Sequence, residues 1–189
     1  MKNTALTFLI IVLNLNLSFS QTKSEIDSLL NGISETENSI GITKTEQAKK
    51  IIAFGENSLI ILAEFFTDST LTKVKSECQK RILTKGEIAI IIADRIEGMP
   101  YFTITGIQNC TMTFCENNPN LIEYYLWDSK KNETEKFKEK YLVWLESDDR
   151  IDWTPLLDYK SKKVRKKEIR KRKREKKKTE KRFANNGYN

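Results

Sequence analysis

The stretch Thr84-Lys85-Gly86-Glu87-Ile88-Ala89-Ile90-Ile91-Ile92-Ala93-Asp94-Arg95-Ile96-Glu97-Gly98-Met99-Pro100 decides how this chain is read. Thr84 and Glu87 have capping-box spacing: a threonine side chain can accept from the amide three residues on, and the glutamate can reach back to the threonine amide. Gly98 and Pro100 stop a helix for different reasons, one by backbone freedom and one by lacking an amide hydrogen. The three consecutive isoleucines are β-branched and alone would suit a strand. A cap at one end and a terminator at the other bracket a length typical of a helix, so helix is the reading.

Working toward the amino terminus, Thr45 to Phe54 reads as a helix stopped at Gly55, and Asn57-Ser58 opens a second, Leu59 to Phe66, ended by Thr67-Asp68. The pair is a helical hairpin. Its second helix is apolar nearly all round and is expected to be the most buried element. Earlier, Ser24 precedes Ile26, Leu29, Leu30 and Ile33, one apolar stripe on a short helix, with Gly32 and Gly41 weakening and then ending it.

The order helix, glycine, short turn, apolar helix and aspartate, carried by Ile51, Ile52, Phe54, Gly55, Leu59, Leu62, Phe66 and Asp68, resembles one unit of a HEAT-type repeat. A second unit beginning near Thr72 is only loosely visible through Val74, Arg81 and Ile82. Such repeats need about three stacked units for a continuous core. The resemblance implies paired helices and a protein-binding surface that does no chemistry.

Toward the carboxyl terminus, Tyr101 to Asn117 is rich in threonine and aromatics and is the least helical part, a short hairpin or a loop tied by its cysteines. Helical spacing resumes after Asn118 with Leu121, Ile122, Tyr124, Tyr125 and Leu126. A last amphipathic helix runs from about Lys131 to Glu146, with Phe137, Tyr141, Trp144 and Leu145 on one face; Ile151, Trp153, Leu156 and Leu157 are expected to pack back. Tyr101, Tyr124 and Trp127 suit the core at this spacing better than a binding surface. The expected fold class is all-α: a compact bundle or short stack of paired helices over 21–159, with one irregular Thr/Cys-containing segment and a disordered basic tail over 160–189.

The chain has 189 residues, 33 Lys+Arg, 26 Asp+Glu and no histidine, and mean hydropathy is −0.53. Absence of histidine removes Ser-His-Asp and Cys-His catalysis, His-ligated zinc and the usual near-neutral base. Charge is segregated. Lys160 to Arg182 holds 16 bases and three acids, a net +13, whereas residues 21–159 carry a net −7. The pI of 9.2 therefore describes no single surface.

Residues 1–20 read as a signal peptide: Lys2, the apolar run Ala5 to Leu13, and small residues Ser18 and Ser20 placed for cleavage near Ser20. The run is short of the roughly 20 residues a span needs, although an uncleaved anchor is the alternative. Export to the periplasm or outside the cell is the expectation, and no cysteine follows the cleavage point to take a lipid.

Three cysteines, Cys78, Cys110 and Cys115, allow one intrachain disulfide at most. Cys110–Cys115 is the candidate pair and requires a turn, because residues five apart on a helix are too far apart; Cys78 with either, or all reduced, are the alternatives. No cofactor motif is present, no P-loop, G-x-G-x-x-G, G-x-S-x-G or H-E-x-x-H, and the cysteines lack metal-ligand spacing. Glu87, Asp94 and Glu97 lie on the expected capped helix, and two carboxylates are the minimum for glycosidase-type work; Glu87 and Asp94 share one face but lie ~10.5 Å apart along the axis. Asp94, Arg95 and Glu97 more simply make surface ion pairs.

The basic tail offers Lys162, Lys163, Arg165, Lys166, Lys167, Arg170, Lys171, Arg172, Lys173, Arg174, Lys176, Lys177 and Lys178 to an anionic partner. Its like charges keep a free segment disordered, and its two aliphatics, Val164 and Ile169, are too few for membrane insertion. An anionic membrane attracts about 1 kcal/mol per near-surface cation; nucleic acid binds such a run with steep salt dependence. The tail could also fold back on its own acidic body. The sequence thus points to a non-catalytic exported helical interaction module docking on an unknown protein, an anionic envelope component or a membrane, with no small-molecule substrate. The alternatives are a nucleic-acid-binding protein acting through the tail and a small carboxylate-dependent hydrolase.

Overall fold

The computed structural model describes residues 22–107, 118–126, 131–155 and 158–186, with 131, 132 and 183–186 described by backbone alone. Residues 1–20, with the expected signal peptide, lie outside them. Among the described residues the chain is mostly helical, in the order α1 (Lys23–Ile33), α2 (Glu46–Phe54), α3 (Leu59–Ala63), β1 (Leu71–Lys75), β2 (Ile82–Thr84), α4 (Lys85–Ile96), α5 (Tyr101–Thr105), α6 (Lys131–Glu146) and α7 (Lys162–Asn186), with short 3-10 turns between. No described helix is long and apolar enough to cross a membrane.

The capping box forms as spelled. Thr84 Oγ1 accepts from the Glu87 amide at 3.2 Å and Glu87 Oε2 accepts from the Thr84 amide at 2.8 Å, so α4 begins where the sequence says. Cap and terminator therefore outweigh the strand preference of Ile90–Ile92. Threonines also start α1 and α2: Thr22 accepts from the Glu25 amide and Thr45 from the Ala48 amide.

The most buried element is α4 and not the second helix of the hairpin. Every residue of α4 from Lys85 to Asp94 is buried, and Ile96 with them. In α3, by contrast, Leu59, Leu62 and Ala63 face inward while Ile60 is 61% exposed. The difference lies in the neighbours: α4 is packed against α1, α2 and α3, whereas one side of α3 meets solvent at Ile60. The amino end of α4 sits so close to the end of α3 that a Cβ at Gly86 would lie 2.4 Å from the Phe66 carbonyl oxygen. Glycine is required there by space. Across the same core Phe66 lies 5.1 Å from Tyr141 and 5.9 Å from Phe137, which fastens α6 onto α3.

Two local departures from the sequence reading appear. Of Val74, Arg81 and Ile82, the trace of a second repeat unit, Val74 and Ile82 lie in the strands of an antiparallel hairpin and Arg81 in the turn between them: Leu71 faces Thr84, Lys75 faces Ile82, and Thr72 Oγ1 donates to the Leu83 carbonyl at 2.7 Å. Val74 and Leu83 are buried on one face of it. Tyr101–Thr105 is helical, ended by Gly106 in the left-handed region; the rest of the Thr/Cys segment, 108–117, lies outside the described residues. Trp153 packs back on the core as expected, and its indole donates to the Gly98 carbonyl at 2.7 Å; Ile151 is half-buried. Leu156 and Leu157 lie outside the described residues.

Candidate functional site

The basic run is a helix. Composition leads to the expectation of a disordered tail; residues 162–186 form the helix α7, and part of its charge is met by carboxylates of the body. Among the described residues the contact is mainly ionic, with Ile169 the one half-buried aliphatic on the helix.

Two arginines a heptad apart, Arg165 and Arg172, turn inward and are 6% and 8% exposed. Arg165 grips Asp158 with both arms of its guanidinium, Nε to Oδ2 at 2.9 Å and Nη2 to Oδ1 at 2.8 Å. Arg172 donates from Nη2 to Glu56 Oε1 at 2.8 Å and to Glu97 Oε1, and from Nη1 to the Arg150 carbonyl at 2.9 Å. Glu97 is fully buried and also receives Arg150, from Nε at 3.1 Å and Nη2 at 2.7 Å. Two guanidiniums and two carboxylates thus form a clamp drawn from the α2–α3 turn, the end of α4, the turn after α6 and α7. Burial acts to raise the Glu56 carboxyl, but the hydrogen bond and charge of Arg172, with the charge of Arg150, hold it below its usual value. The Arg165 hydrogen bond likewise lowers Asp158 against the effect of burial.

The predicted contact residues therefore divide. Arg165 and Arg172 are spent on the body; the exposed Lys173 reaches Asp152 at 2.7 Å and the half-buried Lys176 reaches Asp148. Lys171 pairs loosely with Glu175 of the same helix at 3.9 Å. Lys162, Lys163, Lys166, Lys167, Arg170, Arg174, Lys177 and Lys178 are exposed, and among the described residues none has a carboxylate within ion-pair distance.

The other candidates are placed as follows. Asp94 and Glu97 are buried rather than on the surface: Asp94 accepts from the Met99 amide at 2.9 Å and from the Tyr101 hydroxyl at 2.9 Å on both oxygens, and Glu97 lies within the arginine clamp. Burial pushes the Asp94 carboxyl up to about 7, opposed by those bonds and by Arg95. Arg95 stacks on the Tyr159 ring, 3.7 Å from its centroid. Glu87 is occupied by Arg81, Nη1 to Oε2 at 2.8 Å, and by its capping role, so Glu87 and Asp94 belong to separate networks. Tyr101 is core, stacked 4.8 Å from Tyr125; Tyr124 is half-buried, and Trp127 lies outside the described residues. Cys78 is disulfide-bonded, one of the pairings the sequence leaves open, whereas Cys110 and Cys115 lie outside the described residues. No group of three potential metal ligands occurs among the described residues.

Sequence reasoning missed the acceptors: Glu56, Glu97, Asp158 and, behind them, Arg150. The only signal available was the charge imbalance itself, a net −7 body beside a net +13 run, which says that docking is favourable but not where. No protein-family model, curated protein or solved structure matches this chain.

Proposed function

We propose that the chain is an exported, non-catalytic helical interaction module in which the body holds α7 and α7 presents a cationic face to an anionic partner. The observation that carries this reading is the sorting of cations on one helix. The two arginines that turn inward hold carboxylates, while eight exposed cations have no carboxylate partner among the described residues. A run of charge serving only as a solvated appendage has no need of a fixed face. The acidic body gives the molecule opposite poles, so attraction to an anion brings α7 forward and turns the body away.

The test is retention on an immobilised polyanion at low and high salt. The mature chain should be held at low salt and released as salt rises, and a Lys163→Glu, Lys167→Glu, Arg174→Glu variant should pass through unretained. Equal retention of parent and variant would remove α7 as the binding element. Export is checked separately by amino-terminal sequencing of protein from the native host: a chain beginning near Gln21 supports it, and intact Met1 overturns it.

A further inference from the structure

We infer that the anionic partner is a lipid surface, on which α7 lies flat along its length without inserting. This rests on the reading of α7 as the anion-binding element and adds the kind of anion. Lys163, Lys167, Arg170, Arg174, Lys178 and Lys181 follow one another at steps of four and three, which places them on one side of the helix. From first to last they span ~27 Å at the helical rise. That side is the one opposite Arg165 and Arg172, so the clamp on Glu97 and Glu56 fixes the rotation of α7 and keeps the row turned outward. The three acids of the helix stay off the row: Glu168 is turned toward Lys160 at 2.7 Å, and Glu175 and Glu180 lie on the flanks beside Lys171 and Lys176.

The chemistry of the row decides among polyanions. Residues 162–182 contain no aromatic side chain to stack on a base and no Asn or Gln to read a base edge. They contain no apolar wedge either: Val164 lies off the row and Ile169 is half-buried. Four of the six positions are lysine, a compact point charge on a flexible stem, whereas the inward positions that need a planar fork are arginine. A straight, laterally uniform row of point charges without readers or wedges matches a laterally uniform plane of anionic headgroups. A helix that binds by charge alone sits outside the acyl region.

The experiment uses the mature chain, vesicles of phosphatidylcholine with and without phosphatidylglycerol, and random-sequence duplex DNA at the same ionic strength. Co-sedimentation should occur with the phosphatidylglycerol vesicles alone, and an entrapped dye should stay inside them. A Lys167→Gln, Arg174→Gln, Lys178→Gln variant, with circular dichroism matching the parent, should bind them about a hundredfold more weakly, near fivefold per charge. Binding that ignores headgroup charge, an unchanged triple variant, or release of the dye overturns the inference. If vesicles are not bound but DNA is, the lipid assignment falls and the anion-binding reading of α7 stands; if neither is bound, both fall.

Discussion

Replacing Glu97 by glutamine tests the clamp most directly. The carboxylate is fully buried and accepts two hydrogen bonds from Arg150 and one from Arg172, whose side chains are only 16% and 8% exposed. Glutamine keeps the shape and one acceptor but leaves two buried guanidiniums facing a neutral group. Removing one partner of a buried pair costs about 3–5 kcal/mol. Glu56 remains within 3.3 Å of Arg150 and 2.8 Å of Arg172 and takes up part of the charge, so the lower end applies. We expect a loss of about 3 kcal/mol in denaturant unfolding, and a drop of roughly 6–12 °C in Tm for a chain of this size. The assay is a double-mutant cycle of Glu97→Gln and Arg172→Gln. With the carboxylate and its guanidinium in contact, the two changes should be non-additive by about 1–3 kcal/mol. A Glu97→Gln protein within about 0.5 kcal/mol of the parent, or strict additivity of the two changes, refutes the clamp.

Other perturbations have outcomes of definite sign. Asp94 has a folded pKa near 7 against 3.8 unfolded, so the folded state keeps a proton that the unfolded state has lost; its contribution is full below about pH 4 and falls by about 4 kcal/mol as pH rises through 7. Asp94→Asn should flatten that fall, and a stability difference from the parent that is the same at pH 5 and pH 8 refutes the assignment. Glu56 and Asp158, both lowered in the fold, act oppositely, losing their contribution only as pH drops below the ordinary carboxylate range. Gly86→Ala forces a methyl against the Phe65 and Phe66 carbonyls and should cost at least about 2 kcal/mol in denaturant unfolding; an unchanged midpoint would falsify the close approach. Because α7 is held chiefly by ions, rising salt should speed hydrogen exchange over 162–182 before it affects α4, and equal protection of the two at high salt contradicts ionic docking.

Local signals were legible and distant ones were not. The capping box at Thr84 and Glu87 determines the start of α4 from four adjacent residues, and Gly55, at positive φ, ends α2 by a property that needs no context, whereas α4 ends at an extended Glu97 without a left-handed glycine. The β1–β2 hairpin has strands of five and three residues, too short for alternation to outweigh a helical reading, and it is set by the turn from Ser76 to Arg81. Glu123 ties that turn to the 3-10 segment after Asn118 by accepting from Ser76, an interaction 47 residues long in sequence. The acidic body and the cationic run are visible by counting, but Glu97 meets Arg172 across 75 residues and Glu56 meets it across 116, and nothing local marks either acid as a partner. Asp94 and Glu97 look like surface acids at the end of an amphipathic helix because what meets them is not local in pattern: Met99 and Tyr101 in a segment that reads as an ending for Asp94, and Arg150 and Arg172 for Glu97.

The length of those connections also sets what each contact costs the chain to close. Helices α1 to α4 and the hairpin between them join residues close in sequence, whereas Glu97 reaches Arg150 across 53 residues and Arg172 across 75, and the entropy of closing a loop grows with its length. The end of α4 is therefore the seam at which the two halves of the chain are joined, apolar on the side made by its sequence neighbours and ionic on the side made by distant ones.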